Sequence, residues 1–140
     1  MCTGHAKQMD DMEEGKFLAR AIALAAKAFE DKTDRGGSPY ILHCLYVMNE
    51  VSGLDECSRC AAVLHDVIED THWTAEDLKR SGFTEKTIRL VQLLTFKKHE
   101  DYMLRIKFLA PDPDANRIKR ADIKHNTQMY RLKGVKDSDL

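Results

Sequence analysis

His65-Asp66-Val67-Ile68-Glu69-Asp70 puts four side chains that can bind a metal or move a proton into under two helical turns. Positions four apart on a helix lie one above the other. His65 is therefore expected over Glu69 and Asp66 over Asp70, in two adjacent columns, with Val67 and Ile68 turned toward a core. Three acids and a histidine this close repel one another unless protons or a cation compensate. A divalent metal is the simplest compensation.

This cluster alone cannot complete a metal shell, so partners must come from elsewhere in the chain. His43 follows Pro39-Tyr40-Ile41-Leu42 at the start of a predicted helix, among apolar residues. Asp122 and Asn126 lie four apart on the last predicted helix and share a face. Two histidines with two aspartates make a mixed nitrogen and oxygen shell. It suits Mn²⁺ or Fe²⁺, tolerates Zn²⁺, and argues against Ca²⁺ or an all-cysteine zinc site. His5, His72, His99 and His125 are read as non-ligands, and Trp73 and Tyr102 as core or rim residues able to stack on a base.

The elements that must position these groups are helices throughout. Phe17, Leu18, Ala21, Ile22, Leu24, Ala25 and Phe29 recur at threes and fours, predicting a first helix over about 11–31. Residues 31–38 form a charged, glycine-bearing loop, and Pro39 opens a second helix that runs to Val51 and breaks at Ser52-Gly53. Asp55 starts a third, in which Ala61-Ala62-Val63-Leu64 leads into the acidic cluster. Thr74 to Asp77 reads as a capping box on a short fourth helix that stops at Ser81-Gly82, and Thr84 caps a fifth. A sixth spans 99–109; after Pro111-Asp112-Pro113, Asp114 begins a last helix to about Leu132. No strand alternation competes. The fold class is all-α, a bundle of six or seven helices.

At 140 residues the chain is expected to be one domain, 1–140, large enough for a core without staples. Its formal net charge of −1 gives no support for nucleic-acid binding. With no run long enough to span a bilayer and no signal-peptide pattern, it reads as cytoplasmic, with no membrane partner; oligomeric state is not legible. Cys57-Ser58-Arg59-Cys60 has C-x-x-C spacing, but no second pair completes a zinc shell. The cysteines are read as small core residues.

Taken together, His43, His65-Asp66, Glu69-Asp70 and Asp122-x-x-x-Asn126 resemble the HD-domain phosphohydrolases. More narrowly, the strings around Pro39-Tyr40, Ala61 to Thr71 and Ala121 to Asn126 are similar to the hydrolase domain of RelA/SpoT proteins and the short alarmone hydrolases. The likeness runs over about 18–132. It implies an HD-type helical bundle and one metal, usually manganese, on His43, His65, Asp66 and Asp122. It implies that Glu69 and Asp70 act on water and phosphate, and that Asn126 helps hold a nucleotide. Arg35, Lys97, Lys98, Arg105, Lys119 and Lys124 are the candidate contacts to phosphates and sugar. The implied activity is 3′-pyrophosphate hydrolysis of guanosine tetra- or pentaphosphate. The alternatives are hydrolysis of another nucleotide or dinucleotide phosphate, or nucleotide sensing without turnover. Arg120 stands where the family usually has leucine, and residues 95–102 depart from the pattern of the long bifunctional proteins. No synthetase region fits in 140 residues, so pyrophosphate transfer from ATP is not expected.

Overall fold

Small side chains decide where the centre of this bundle lies. The computed structural model describes residues 15–139, with side chains through Gln128. Helix α1 (Lys16–Ala28) buries Phe17, Ala21 and Ala25, and α2 (Ile41–Glu50) buries His43, Cys44, Val47 and Met48. Helix α3 (Glu56–Leu64) buries seven of its nine residues, including Ala61 and Ala62. A helix buried on nearly every side must be central. Accordingly α3 packs against α1, α2, α6 (Glu85–Leu94) and α8 (Pro113–Asp139), its alanines letting neighbours approach. Two short helices, α4 (Val67–Asp70) and α5 (Ala75–Arg80), and the rim helix α7 (Tyr102–Leu109) complete the fold.

Local capping accounts for most boundaries. Asp55 accepts from the Ser58 N–H at 2.9 Å, Thr84 accepts from the Thr87 N–H, and Asp101 from the Leu104 N–H. Thr74 and Asp77 form the reciprocal capping box read from the sequence. Gly15 offers α1 no side-chain cap, and Glu56 of α3 fills that role by accepting from the Leu18 N–H at 3.0 Å.

Three expectations need correction. The described part of α1 begins at Lys16 and ends at Ala28; the predicted residues 11–14 lie outside the described residues. The last helix starts at Pro113, capped by Asp112, and continues to Asp139, since no proline halts it after Leu132. Most important, the third predicted helix is two. It stops at His65, where Asp66 adopts φ −100° and ψ 0°, and restarts at Val67. His65 therefore does not stack over Glu69 in one continuous helix. Splitting that element raises the seven predicted helices to eight among the described residues.

Candidate metal centre

His43 comes from α2, His65 and Asp66 from the break between α3 and α4, and Asp122 from α8. All four are buried, and one donor atom from each lies within 4.8 Å of the others. Asp122 Oδ1 is 2.9 Å from His43 Nε2 and 3.3 Å from His65 Nε2. Asp66 Oδ2 is 3.0 Å from His65 Nε2 and 3.9 Å from His43 Nε2.

The opposite edges of both imidazoles are tied off. His65 Nδ1 lies 2.7 Å from the Ala62 carbonyl, which can only accept, so Nδ1 carries the proton. His43 Nδ1 lies 2.8 Å from His125 Nδ1. With its proton on Nδ1 and donated to His125, His43 also turns an Nε2 lone pair inward. Two such lone pairs facing two buried carboxylates fit a divalent cation.

Where protons stand in for that ion, the electrostatics show the need for charge. Burial works to lower the pKa of His65, yet the Asp66 and Asp122 carboxylates raise it well above the usual imidazole value. Burial works to raise Asp66 and Asp122, but the His65 charge and the histidine hydrogen bonds hold both below the carboxylate range. Asp122 Oδ2 also pairs with Lys119 Nζ at 2.9 Å, and its Oδ1 accepts from Asn126 Nδ2 at 3.1 Å. The Tyr40 hydroxyl donates to Asp66 Oδ2, and burial together with that carboxylate pushes the phenol far up.

A family model described as HD domain matches residues 21–128. This chain belongs to the HD-domain family. The HD domain is 33% identical over 127 residues to a "Probable GTP pyrophosphokinase" of Mycobacterium leprae, covering 83% of this chain and 16% of that protein. It is 31% identical over 120 residues to a guanosine-3′,5′-bis(diphosphate) 3′-pyrophosphohydrolase of Aquifex aeolicus, covering 79% and 17%. The chain thus spans about a sixth of the length of these curated relatives. Among solved structures it is similar to a metazoan ortholog of SpoT that hydrolyzes ppGpp. The TM-score is 0.69 at 26% identity, over 83% of this chain and 71% of that one.

Around this HD-domain centre the other predicted residues separate. Glu69 and Asp70 lie at the surface rather than in the buried cage. Glu69 Oε1 accepts from the Phe96 N–H at 2.7 Å; burial, then the Asp66 and Asp70 charges, raise its pKa against that hydrogen bond. Asp70 pairs with Lys32 at 3.1 Å. A cavity of about 760 Å³ lies beside the cage, lined by Lys32, Thr33, Asp34, Arg35, Tyr40, Tyr102 and Asn126. Arg35 and Asn126 are thus brought to one cavity, and Lys119 sits at the cage wall, 4.4 Å from the Phe96 ring centre.

Two predicted phosphate contacts are employed elsewhere. Arg105 Nη2 reaches the carbonyls of Gln92, Leu93 and Thr95, satisfying the C-terminus of α6. Lys124 pairs with Glu50 at 2.9 Å and lines a separate groove with Arg117 and Arg120. Lys97 and Lys98 are exposed on the loop between α6 and α7, outside the cavity lining. Cys44 and Cys60 are free and buried, and burial pushes the Cys44 thiol up to about 12.

Sequence reasoning missed three contributors. His125, set aside as a non-ligand, backs His43 and stacks on Tyr46 with ring centres 4.1 Å apart. Its place one turn after Asp122 was the available signal. Tyr40 stood in the Pro39-Tyr40 string on which the resemblance rests, and Lys32 in the charged loop ahead of it, from which Arg35 alone was drawn.

Proposed function

We propose that this HD domain is a manganese-dependent phosphohydrolase that removes pyrophosphate from the 3′ position of guanosine tetra- or pentaphosphate. The ion's ligands in this reading are His43, His65, Asp66 and Asp122. The observation that carries it is the pair of imidazoles, each with Nδ1 occupied, whose Nε2 atoms face two carboxylates inside a buried cage. The names of the relatives and the solved neighbour supply the substrate class.

A divalent ion held there supplies charge that acidifies a water and neutralises phosphoryl oxygens. Glu69 stands outside the cage with its pKa raised by burial, suited to taking a proton from the attacking water. Asp70 is the second carboxylate at that edge. Arg35 and Asn126, on the cavity wall, orient the nucleotide, and Lys119 offsets phosphate charge behind Asp122. Phosphoryl transfer asks mainly for such positioning and charge compensation. A soluble nucleotide substrate accords with the cytoplasmic reading.

The test is incubation of the Mn²⁺-loaded protein with guanosine tetraphosphate and product chromatography. Guanosine diphosphate with pyrophosphate is the expected outcome. Orthophosphate, or turnover of a different nucleotide only, refutes the substrate assignment. Tight binding without turnover refutes the enzyme and leaves a sensor.

A further inference from the structure

Asp66 and Asp70 are joined by a second route that does not follow the chain between them. From Asp66 Oδ2 it passes to the Tyr40 hydroxyl. The Tyr40 ring carries Lys32 Nζ at 4.1 Å from its centre, and that ammonium reaches Asp70 Oδ2 at 3.1 Å.

The loop holding Lys32 is built to keep it there. Its carbonyl accepts from the Tyr40 N–H at 2.9 Å, and an isolated bridge joins Thr33 to Pro39. Asp34 Oδ1 accepts from the N–H groups of Gly36 and Ser38, at 2.8 and 3.0 Å. Gly37 turns the chain at φ +89°, a conformation that suits glycine. Lys32 and Tyr40 are therefore side by side by backbone constraint, before any side-chain contact is counted.

The Lys32–Asp70 pair is too exposed to matter for folding, with side chains 40% and 28% accessible. Its position is what distinguishes it. Four carboxylates ring this corner. Asp66 and Asp122 face the cage, Glu69 is bonded to the Phe96 N–H, and among the described residues Lys32 is the cation bonded to Asp70. A polyphosphate entering the cavity would repel Asp70 and swing it outward. An ammonium seated on an aromatic face has already lost much of its rotamer freedom, so it can hold the acid in place at little further cost.

Resting on the hydrolase reading above, we propose that Lys32 is a positioning residue: clamped on Tyr40, it fixes the Asp70 carboxylate at the cavity edge while a polyphosphate nucleotide is bound. It acts through Asp70, not as a phosphate ligand.

The experiment compares Lys32→Met, Lys32→Arg, Asp70→Asn and the Lys32→Met/Asp70→Asn double variant, all Mn²⁺-loaded, for kcat and KM on guanosine tetraphosphate and for bound manganese. Lys32→Met is expected to lower kcat by about 30-fold, a misplacement-sized loss, with KM and metal content kept. Lys32→Arg restores most of the rate. In the Asp70→Asn background, Lys32→Met costs nothing further. A rise in KM with kcat intact, a failure of Lys32→Arg to rescue, or losses that multiply in the double variant overturns the proposal. A wild-type protein that turns over no nucleotide overturns the hydrolase reading and the inference with it, and is seen before any variant is made.

Discussion

Replacing Asp122 by asparagine tests whether one buried carboxylate serves both a resident cation of the chain and a bound metal. Its side chain is 6% accessible and that of Lys119 is 15% accessible, with Nζ 2.9 Å from Oδ2. Without the carboxylate, the Lys119 ammonium stays mostly buried beside the Phe96 ring, stripped of its hydrogen-bonded counter-charge and left with the weaker influence of Asp66 and Glu69. Breaking a buried pair by removing one member costs about 3–5 kcal/mol. For a domain of this size 1 kcal/mol moves Tm by about 3 °C, so the metal-free variant should melt about 10 °C below metal-free wild type. Adding Lys119→Met removes the stranded charge and should recover most of that loss.

The metal enters the same measurement through linkage. Mn²⁺ at a thousand times its Kd should stabilise the wild type by about 4 kcal/mol, again about 10 °C. On the proposed ligand set Asp122→Asn has one donor fewer and should show little of that increment. Scanning calorimetry of wild type, single and double variants, with and without Mn²⁺, reads both effects. A metal-free Asp122→Asn that melts within about 2 °C of wild type refutes the ion-pair argument. A wild-type-sized Mn²⁺ shift in that variant refutes Asp122 as a ligand.

Glu69→Gln should keep its metal by elemental analysis, lose rate by about 100-fold, and loosen the Phe96 amide in hydrogen exchange; an emptied metal site would make Glu69 a ligand instead. Arg105→Met should cost about 1–3 kcal/mol in urea unfolding by stranding the α6 carbonyls, with KM for the nucleotide unchanged; a raised KM would return Arg105 to the substrate. Asp55 is half-buried, which works to raise its pKa, but the Lys86 ammonium and the Ser58 N–H hold it below the usual value. A depressed folded-state pKa contributes stability that is present above the unfolded value, about 3.9, and lost as pH falls through the folded one. Asp55→Asn should therefore flatten the acid limb of the stability curve below about pH 4, by about 1 kcal/mol; an unchanged limb in urea titrations contradicts the assignment.

The helical bundle was legible because its signals are local. Asp55, Thr74 with Asp77, and Thr84 each cap a helix through a side chain reaching three residues along, so the type of residue nearly states the structure. Asp101 does the same and went unread, which is why the sixth helix was expected from 99 and begins at Tyr102. The grouping was legible for another reason: the resemblance to HD-domain phosphohydrolases named His43, His65, Asp66 and Asp122 together, and the fold brings those four into one buried cluster. Cations are different. Arg105 and Lys124 have the chemistry of phosphate contacts, yet one closes a helix end and the other meets Glu50. Nothing in a lysine or arginine records which neighbour folding will bring, and the same holds for Lys32, overlooked although it stands at the cavity.

The break at His65 shows what periodicity alone could not supply and why it matters. A helix running unbroken from Glu56 to Asp70 would set His65 over Glu69 and Asp66 over Asp70, giving each acid the same surroundings as the group above it. The chain instead turns at Asp66, with Nδ1 of His65 on the Ala62 carbonyl and Asp66 held by Tyr40. His65 and Asp66 are thereby driven into the core, 1% and 9% accessible, while Glu69 and Asp70 remain at the edge. Environment then divides the labour among chemically similar groups. The carboxylates of Asp66 and Asp122 share a buried cluster with two histidines, as the proposed cation site requires, while those of Glu69 and Asp70 stay exposed, as the proposed contacts to water and phosphate require. A single turn of backbone separates these two settings, with a side-chain hydrogen bond at each residue of the turn.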